Sequence, residues 1–177
     1  NMGIGQICWN PRVWMDMATF GWSVEADIVP GLTECLVLWG TNPAQSDNSA
    51  FWQHIRAYAA GGGALVVVDP RRTEAAAIAD VWLPVRPGTD AVLALGLLNV
   101  IIGEELYDAS FVDAWCSGFD ELARAVAPLA PEAVAVTCGV SADDIRRAAR
   151  LFSGGRASAL VSGRGIDQIG AAVAPTH

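Results

Sequence analysis

Ala64-Leu65-Val66-Val67-Val68-Asp69-Pro70-Arg71-Arg72-Thr73 runs from an unbroken apolar stretch straight into a charged, proline-interrupted turn. The apolar part has the length of a strand, is rich in β-branched residues, and is too short for a helix. No polar residue alternates along it, so both of its faces are expected to be covered, as in a parallel sheet. Working upstream, Gly61-Gly62-Gly63 closes a helix predicted over Ser49–Ala60. Before that, Glu34–Trp39 is a run of the same buried kind, ending in Gly40-Thr41-Asn42-Pro43. Downstream, Thr73–Ala79 reads as a short helix and Val81–Val85 as a third strand, ending in Arg86-Pro87-Gly88. Thr89 or Asp90 then caps a long helix through Ile102. Strands alternating with helices predict an α/β fold, a three-layer αβα sandwich that is Rossmann-like and doubly wound around a mostly parallel sheet.

The flanks are helical. Asn10–Phe20 places Val13, Met17 and Phe20 on one side, with Pro11 at the first helical position. Asp108–Trp115 and Phe119–Ala127 read as amphipathic helices, separated by Ser117-Gly118 and followed by the breakers Pro128 and Pro131. Ser141 to Asp144 resembles a capping box opening a helix through Phe152, and Ala157–Val161 is a last strand before Gly163-Arg164-Gly165. The expected division is one α/β domain over residues 1–137 and the helix–strand start of a second over residues 138–177.

The chain is 53% apolar and 17% charged, a composition suited to a domain that packs against further parts of a larger protein. No apolar run approaches the roughly 20 residues of a membrane span. A net charge of −8 argues against a nucleic-acid partner, which would call for a basic stripe. It does not argue against a diphosphate held by main-chain N–H groups, because distant carboxylates are screened beyond roughly 10 Å. Cys8, Cys35, Cys116 and Cys138 form no CxxC pair, so neither a zinc site nor an iron–sulfur cluster is expected from this chain alone. Cys35 and Cys116 read as small buried hydrophobes. With Asn1 first and Pro175-Thr176-His177 last, both ends read as boundaries inside a longer protein. No signal peptide is readable, which leaves cytoplasm and periplasm open.

In an open parallel sheet, ligands bind beyond the carboxyl ends of the strands. Gly40, Thr41, Asn42 and Pro43 offer close backbone approach and an amide that both donates and accepts, although the same residues suit a plain turn. Asp69, at the end of a strand, is placed to accept from ribose hydroxyls, while Arg71 and Thr73 suit phosphate oxygens. The alternative is an Asp69 that pairs with Arg71 and caps the next helix. Asp90 can accept from both N1–H and the exocyclic amine of guanine, a donor pair that adenine lacks. Its alternative role is an acid at a helix N-terminus.

Three segments in order carry a family resemblance: Leu38-Trp39-Gly40-Thr41-Asn42-Pro43, Val67-Val68-Asp69-Pro70-Arg71-Arg72-Thr73, and Ala79-Asp80-Val81-Trp82-Leu83-Pro84-Val85-Arg86-Pro87-Gly88-Thr89-Asp90. The resemblance continues through Phe111-Val112 and Gly118-Phe119 to Gly163-Arg164-Gly165-Ile166-Asp167-Gln168. Together these resemble the molybdopterin oxidoreductases, the family of dimethyl sulfoxide reductase, dissimilatory nitrate reductases and formate dehydrogenases. The resemblance implies a bis-molybdopterin guanine dinucleotide cofactor carrying molybdenum or tungsten. Gly40 to Pro43, Asp69-Pro70-Arg71 and Gly88-Thr89-Asp90 would line one nucleotide arm, and Gly165 and Gln168 would lie in the later glycine-rich turn. Cys8 stands where relatives place a metal-binding Cys, selenocysteine, Ser or Asp, and so is the implied metal ligand and catalytic residue.

The family's cluster-binding cysteines, the rest of the second α/β domain and the C-terminal barrel-like domain have no counterpart in this sequence. An iron–sulfur cluster is therefore expected only in a preceding part of the enzyme. The expected partners are the remaining domains, a small-molecule substrate and an electron-transfer subunit. The implied chemistry of the whole enzyme is oxygen-atom or electron transfer at the metal, with the isolated segment inactive. Three other readings stay open: a non-redox tungsten hydratase, a stand-alone nucleotide-binding module lacking a GxGxxG loop, and a subunit-interaction protein.

Overall fold

The computed structural model describes residues 10–22, 27–46, 50–155 and 157–167. In chain order the elements are α1 (Asn10–Phe20), β1 (Cys35–Trp39), α2 (Pro43–Ser46), α3 (Ala50–Ala60), β2 (Ala64–Val68), β3 (Val81–Leu83) and α4 (Asp90–Gly103). There follow α5 (Ala109–Trp115), α6 (Phe119–Val126), α7 (Pro131–Cys138), α8 (Ala142–Ser153), β4 (Ser158–Ser162) and α9 (Arg164–Asp167).

The strands form one sheet in the order β3-β2-β1-β4, with every neighbouring pair parallel. Val37 stands opposite Val66 on one side and Leu160 on the other. Side chains alternate between the two faces of the sheet. Cys35, Val37, Trp39, Val66 and Val68 pack with residues of α4, α7 and α8, such as Leu93, Val134 and Ile145. Leu36, Leu38, Leu65 and Val67 pack with Ile55 of α3 and with Ala75 and Ala76. Helices on both faces make the expected three-layer αβα sandwich, and they explain why β1 and β2 carry no polar alternation.

The core is close enough to dictate single residues. A Cβ on Gly96 of α4 would lie 2.8 Å from a Val134 methyl of α7, so the two helices meet where α4 has no side chain. Burial, helped by the nearby Asp80 carboxylate, pushes the Cys35 thiol up to about 11, which fits a cysteine that serves as packing.

Four expectations are corrected. Residues 73–79 form turns and no helix: Ala75 and Ala76 sink into the core, and Asp80 pairs both ways with Leu65, pulling the chain down to β3. β3 stops at Leu83, short of Val85, because Pro84 has no N–H to extend the ladder. Pro131, read as a breaker, opens α7 from its first turn, where a missing N–H costs nothing. Cys116 is exposed, in contrast to buried Cys35 and Cys138.

β4 pairs with β1, and α8 packs on the shared face, so one sheet carries residues from both sides of the division expected at residue 137/138. Among the described residues no helix is long and apolar enough to cross a membrane. The surface nonetheless shows large apolar side chains, including Trp14 at 72% and Trp115 at 79% exposure.

Candidate functional site

The winding of the sheet reverses at β1. β2 and β3 follow on one side of it, while β4 returns to the other. Loops leaving β1 and β4 therefore run apart beyond their carboxyl ends, and a crevice opens between them. The two tips are tied at their base by the Gly163 N–H, which donates to the Trp39 carbonyl at 2.7 Å. Gly40 turns out of β1 with φ +61°, and a Cβ on Gly163 would fall 2.0 Å from the Gly40 carbonyl oxygen. Glycine is required at both positions, for backbone conformation at the first and for close approach at the second.

A cleft of about 1400 Å³ opens here, bordered by Gly40, Thr41 and Asn42 from the β1 tip, Ser162 to Gly165 from the β4 tip, Arg71 from the β2 tip, and Arg12 from α1. Arg12 Nη1 donates to the Ser162 carbonyl at 2.8 Å, which brings α1 over the crevice. A smaller cleft of about 460 Å³ lies against Asn42, Arg71, Arg72, Thr73 and Glu74.

Asn42 borders both clefts and is 8% exposed. Its backbone carbonyl accepts from the N–H groups of Gln45 and Ser46, and its side-chain Nδ2 donates to Glu74 Oε2 at 3.1 Å. Its Oδ1 is buried with no hydrogen-bond partner. Such an acceptor costs about 1–3 kcal/mol of stability when left unpaired, which makes it a candidate contact for a ligand or an ordered water. Glu74 is held below the usual carboxylate range by a hydrogen bond from its own backbone N–H, by the Asn42 and Gln45 amides, and by the Arg71 charge.

The other expected residues are placed as follows. Asp69 is 5% exposed, and its Oδ1 accepts from the Arg71 N–H at 2.8 Å, with Arg71 Nε at 3.9 Å. Its carboxylate thus shapes the loop that presents Arg71. Thr73 is buried, with its hydroxyl accepting from the Ala76 N–H at 3.2 Å. Pro43 is the buried start of α2, and Pro70 is exposed in the turn. Gly88 has φ +85°, and the Thr89 hydroxyl donates to the Arg86 carbonyl at 2.7 Å, so Thr89 begins α4 without a side-chain cap bond. Asp90 accepts from the Trp39 indole N–H at 2.9 Å. A carboxylate has about four acceptor sites, so this bond leaves room for others.

The main cleft therefore gathers Gly40, Thr41, Asn42, Arg71 and Gly165. Thr73 borders only the smaller cleft. Pro43, Asp69, Pro70, Gly88, Thr89 and Asp90 line neither cleft, and Asp90 is joined to the main one through Trp39. Cys8 and Gln168 lie outside the described residues. Arg12, Gln45, Glu74 and Ser162 were not legible as site residues. Gln45 follows Asn42 by one helical turn, but the others join it only through tertiary contacts.

The description of a protein family, molybdopterin oxidoreductase, matches residues 25–172. Acetylene hydratase of Syntrophotalea acetylenica is 44% identical over 121 residues, covering 68% of this chain and 17% of the relative. Formate dehydrogenase H of Escherichia coli is 35% identical over 136 residues, covering 77% of this chain and 19% of the relative. The solved structure of acetylene hydratase from Pelobacter acetylenicus superposes with a TM-score of 0.83 at 32% identity, covering 96% of this chain and 23% of that one. The chain thus spans about a fifth of the length of these relatives. On its sheet, its tip loops and these matches, it belongs to the molybdopterin oxidoreductase family.

Proposed function

We propose that this chain is the part of a molybdenum or tungsten enzyme that grips one guanosine diphosphate arm of a molybdopterin guanine dinucleotide cofactor. The reading rests on one observation above the rest: a buried, unpartnered Asn42 carbonyl at the sheet's switch point, beside glycine-built tips and Arg71. The residues fit the group. The Gly40 and Gly163 N–H groups donate to the Val68 and Trp39 carbonyls, which fixes the turns. The N–H groups of Thr41 and Gly165 that follow them suit the diphosphate, and the Arg71 guanidinium suits its outer oxygens. Asp69 orders the Arg71 loop, and Gly88 and Thr89 set the start of α4, so that Asp90 can accept from the guanine edge while Trp39 holds it. When bound, the cofactor supplies a metal centre whose coordination and electronics carry the reaction. This chain's residues bind and orient it.

A thermal-shift titration tests the assignment. GDP is expected to raise the melting temperature of the chain and ADP to leave it unchanged, because adenine offers Asp90 no matching donor pair. Equal stabilisation by both nucleotides, or by neither, would contradict it. For Cys8 the proposed role is a thiolate ligand to the metal, checked by metal content of the full-length enzyme carrying Cys8→Ala. Undiminished metal would remove Cys8 from the site.

For the whole enzyme, transfer of oxygen atoms or electrons to a small substrate is the primary reading. A hydratase is the alternative that a specific observation favours, namely the 44% identity to an acetylene hydratase beside 35% to a formate dehydrogenase. Turnover of the full-length enzyme without an electron acceptor separates hydration from redox chemistry.

A further inference from the structure

Glu74 accepts on both of its carboxylate oxygens, from Asn42 Nδ2 at 3.1 Å and from Gln45 Nε2 at 3.2 Å. An ionised carboxylate accepts only, so each amide must turn its nitrogen towards Glu74. For Asn42 this has a consequence. The amide is planar, so fixing Nδ2 on Glu74 fixes Oδ1 on the opposite side, where it is buried and unpartnered. We propose that Glu74 is a positioning residue that sets the donor–acceptor polarity of Asn42, so that the site presents an acceptor there and selects an N–H or O–H donor of the ligand in place of a phosphate oxygen. The inference rests on the guanosine diphosphate reading and sharpens it: Asn42 meets a ribose hydroxyl or a ring N–H, and the diphosphate falls to the glycine tips and Arg71.

Among the described residues, Glu74 alone bonds the Asn42 side-chain amide. Its neighbours in the turn, Gln45 and Ser46, bond its backbone carbonyl, and Ser46 Oγ donates there at 2.9 Å. Rotating the amide would set Oδ1 against the Glu74 carboxylate, lone pair to lone pair, and would forfeit a charge-assisted bond. The polarity is therefore written by a residue in the β2–β3 connection, remote in sequence from the loop it controls.

A swap of the pair tests this. Asn42→Asp alone places two carboxylates together and is expected to weaken GDP binding to the full chain by at least about tenfold. Adding Glu74→Gln returns a donor to the pair, with the direction of the bond reversed, and leaves an oxygen at position 42 facing the ligand. GDP affinity should then return to within about threefold of the unsubstituted chain. If Asn42 instead donates to a phosphate, the introduced carboxylate repels GDP in the single and the double variant alike. Absence of rescue would overturn the polarity. Should the variants not fold, the unsubstituted chain carries a second readout. GDP should move the Asn42 side-chain carbonyl carbon resonance downfield and leave its N–H resonances in place, and the opposite pattern overturns the proposal. GDP that binds the unsubstituted chain without rescue in the swap sinks only the role of Glu74. GDP that does not bind at all sinks the guanosine reading, and this inference with it.

Discussion

A methyl group on Gly163 would stand 2.0 Å from the Gly40 carbonyl oxygen and 2.8 Å from the Thr41 Cα, all backbone with little freedom to retreat. Gly163→Ala should therefore force the β1 and β4 tips apart, at a cost of about 1–3 kcal/mol in urea unfolding, typical of overpacking. Wild-type stability in that variant would mean that the tips are not in contact. The Trp39–Asp90 bond makes a similar claim. Trp39→Phe and Asp90→Ala should couple in a double-mutant cycle, since a hydrogen bond to a charged group is worth about 1.5–3 kcal/mol. Additive effects would place the two side chains apart. The single residues of the site were partly legible in sequence. Gly40, Asn42 and Arg71 follow from turn chemistry at strand ends, and they do border the cleft. What was not legible is the company they keep. Nothing in the local sequence says that Trp39 bonds Asp90 across 51 positions, or that Glu74 claims the Asn42 amide.

Among the elements, α4 and α8 are joined on the surface by Arg150, whose Nε and Nη2 each meet a Glu104 oxygen at 2.8 Å. Arg150 holds Glu104 below the usual carboxylate range. A lowered folded-state pKa contributes stability that is fully present above the ordinary value of about 4.5 and is lost as pH falls through the lowered one. Glu104→Gln should accordingly flatten the acid limb of the stability–pH profile while shifting neutral-pH stability only modestly, because exposed pairs contribute little. A profile of unchanged shape would show that the pair does not form in solution. The helices were readable where capping is local: Ser141 accepts from the Asp144 N–H, and Asp108 from the Phe111 N–H, as their positions suggest. They were misread where tertiary packing decides. Residues 73–79 have helical composition, yet Ala75 and Ala76 are drawn into the core and Asp80 is tied to Leu65. α7 was hidden because Pro131 breaks a helix in its interior but suits its first turn.

Across the molecule, a parallel sheet with helices on both faces was legible because both-face burial writes itself into unbroken apolar runs such as Leu36–Leu38 and Leu65–Val68. The position of β4 was not. Its pairing with β1 brings together residues more than 120 positions apart, and only that pairing creates the reversal at which the cleft opens. The central claim is that this reversal point grips a guanosine diphosphate. Backbone amide resonances recorded during a GDP titration test it most directly. Shifts should concentrate on Gly40, Thr41, Asn42, Arg71 and Gly163 to Gly165, with Asp90 moving and the far ends of the strands, at Cys35 and Ala64, remaining still. Shifts scattered over the surface, or confined to residues away from the β1 and β4 tips, would contradict it.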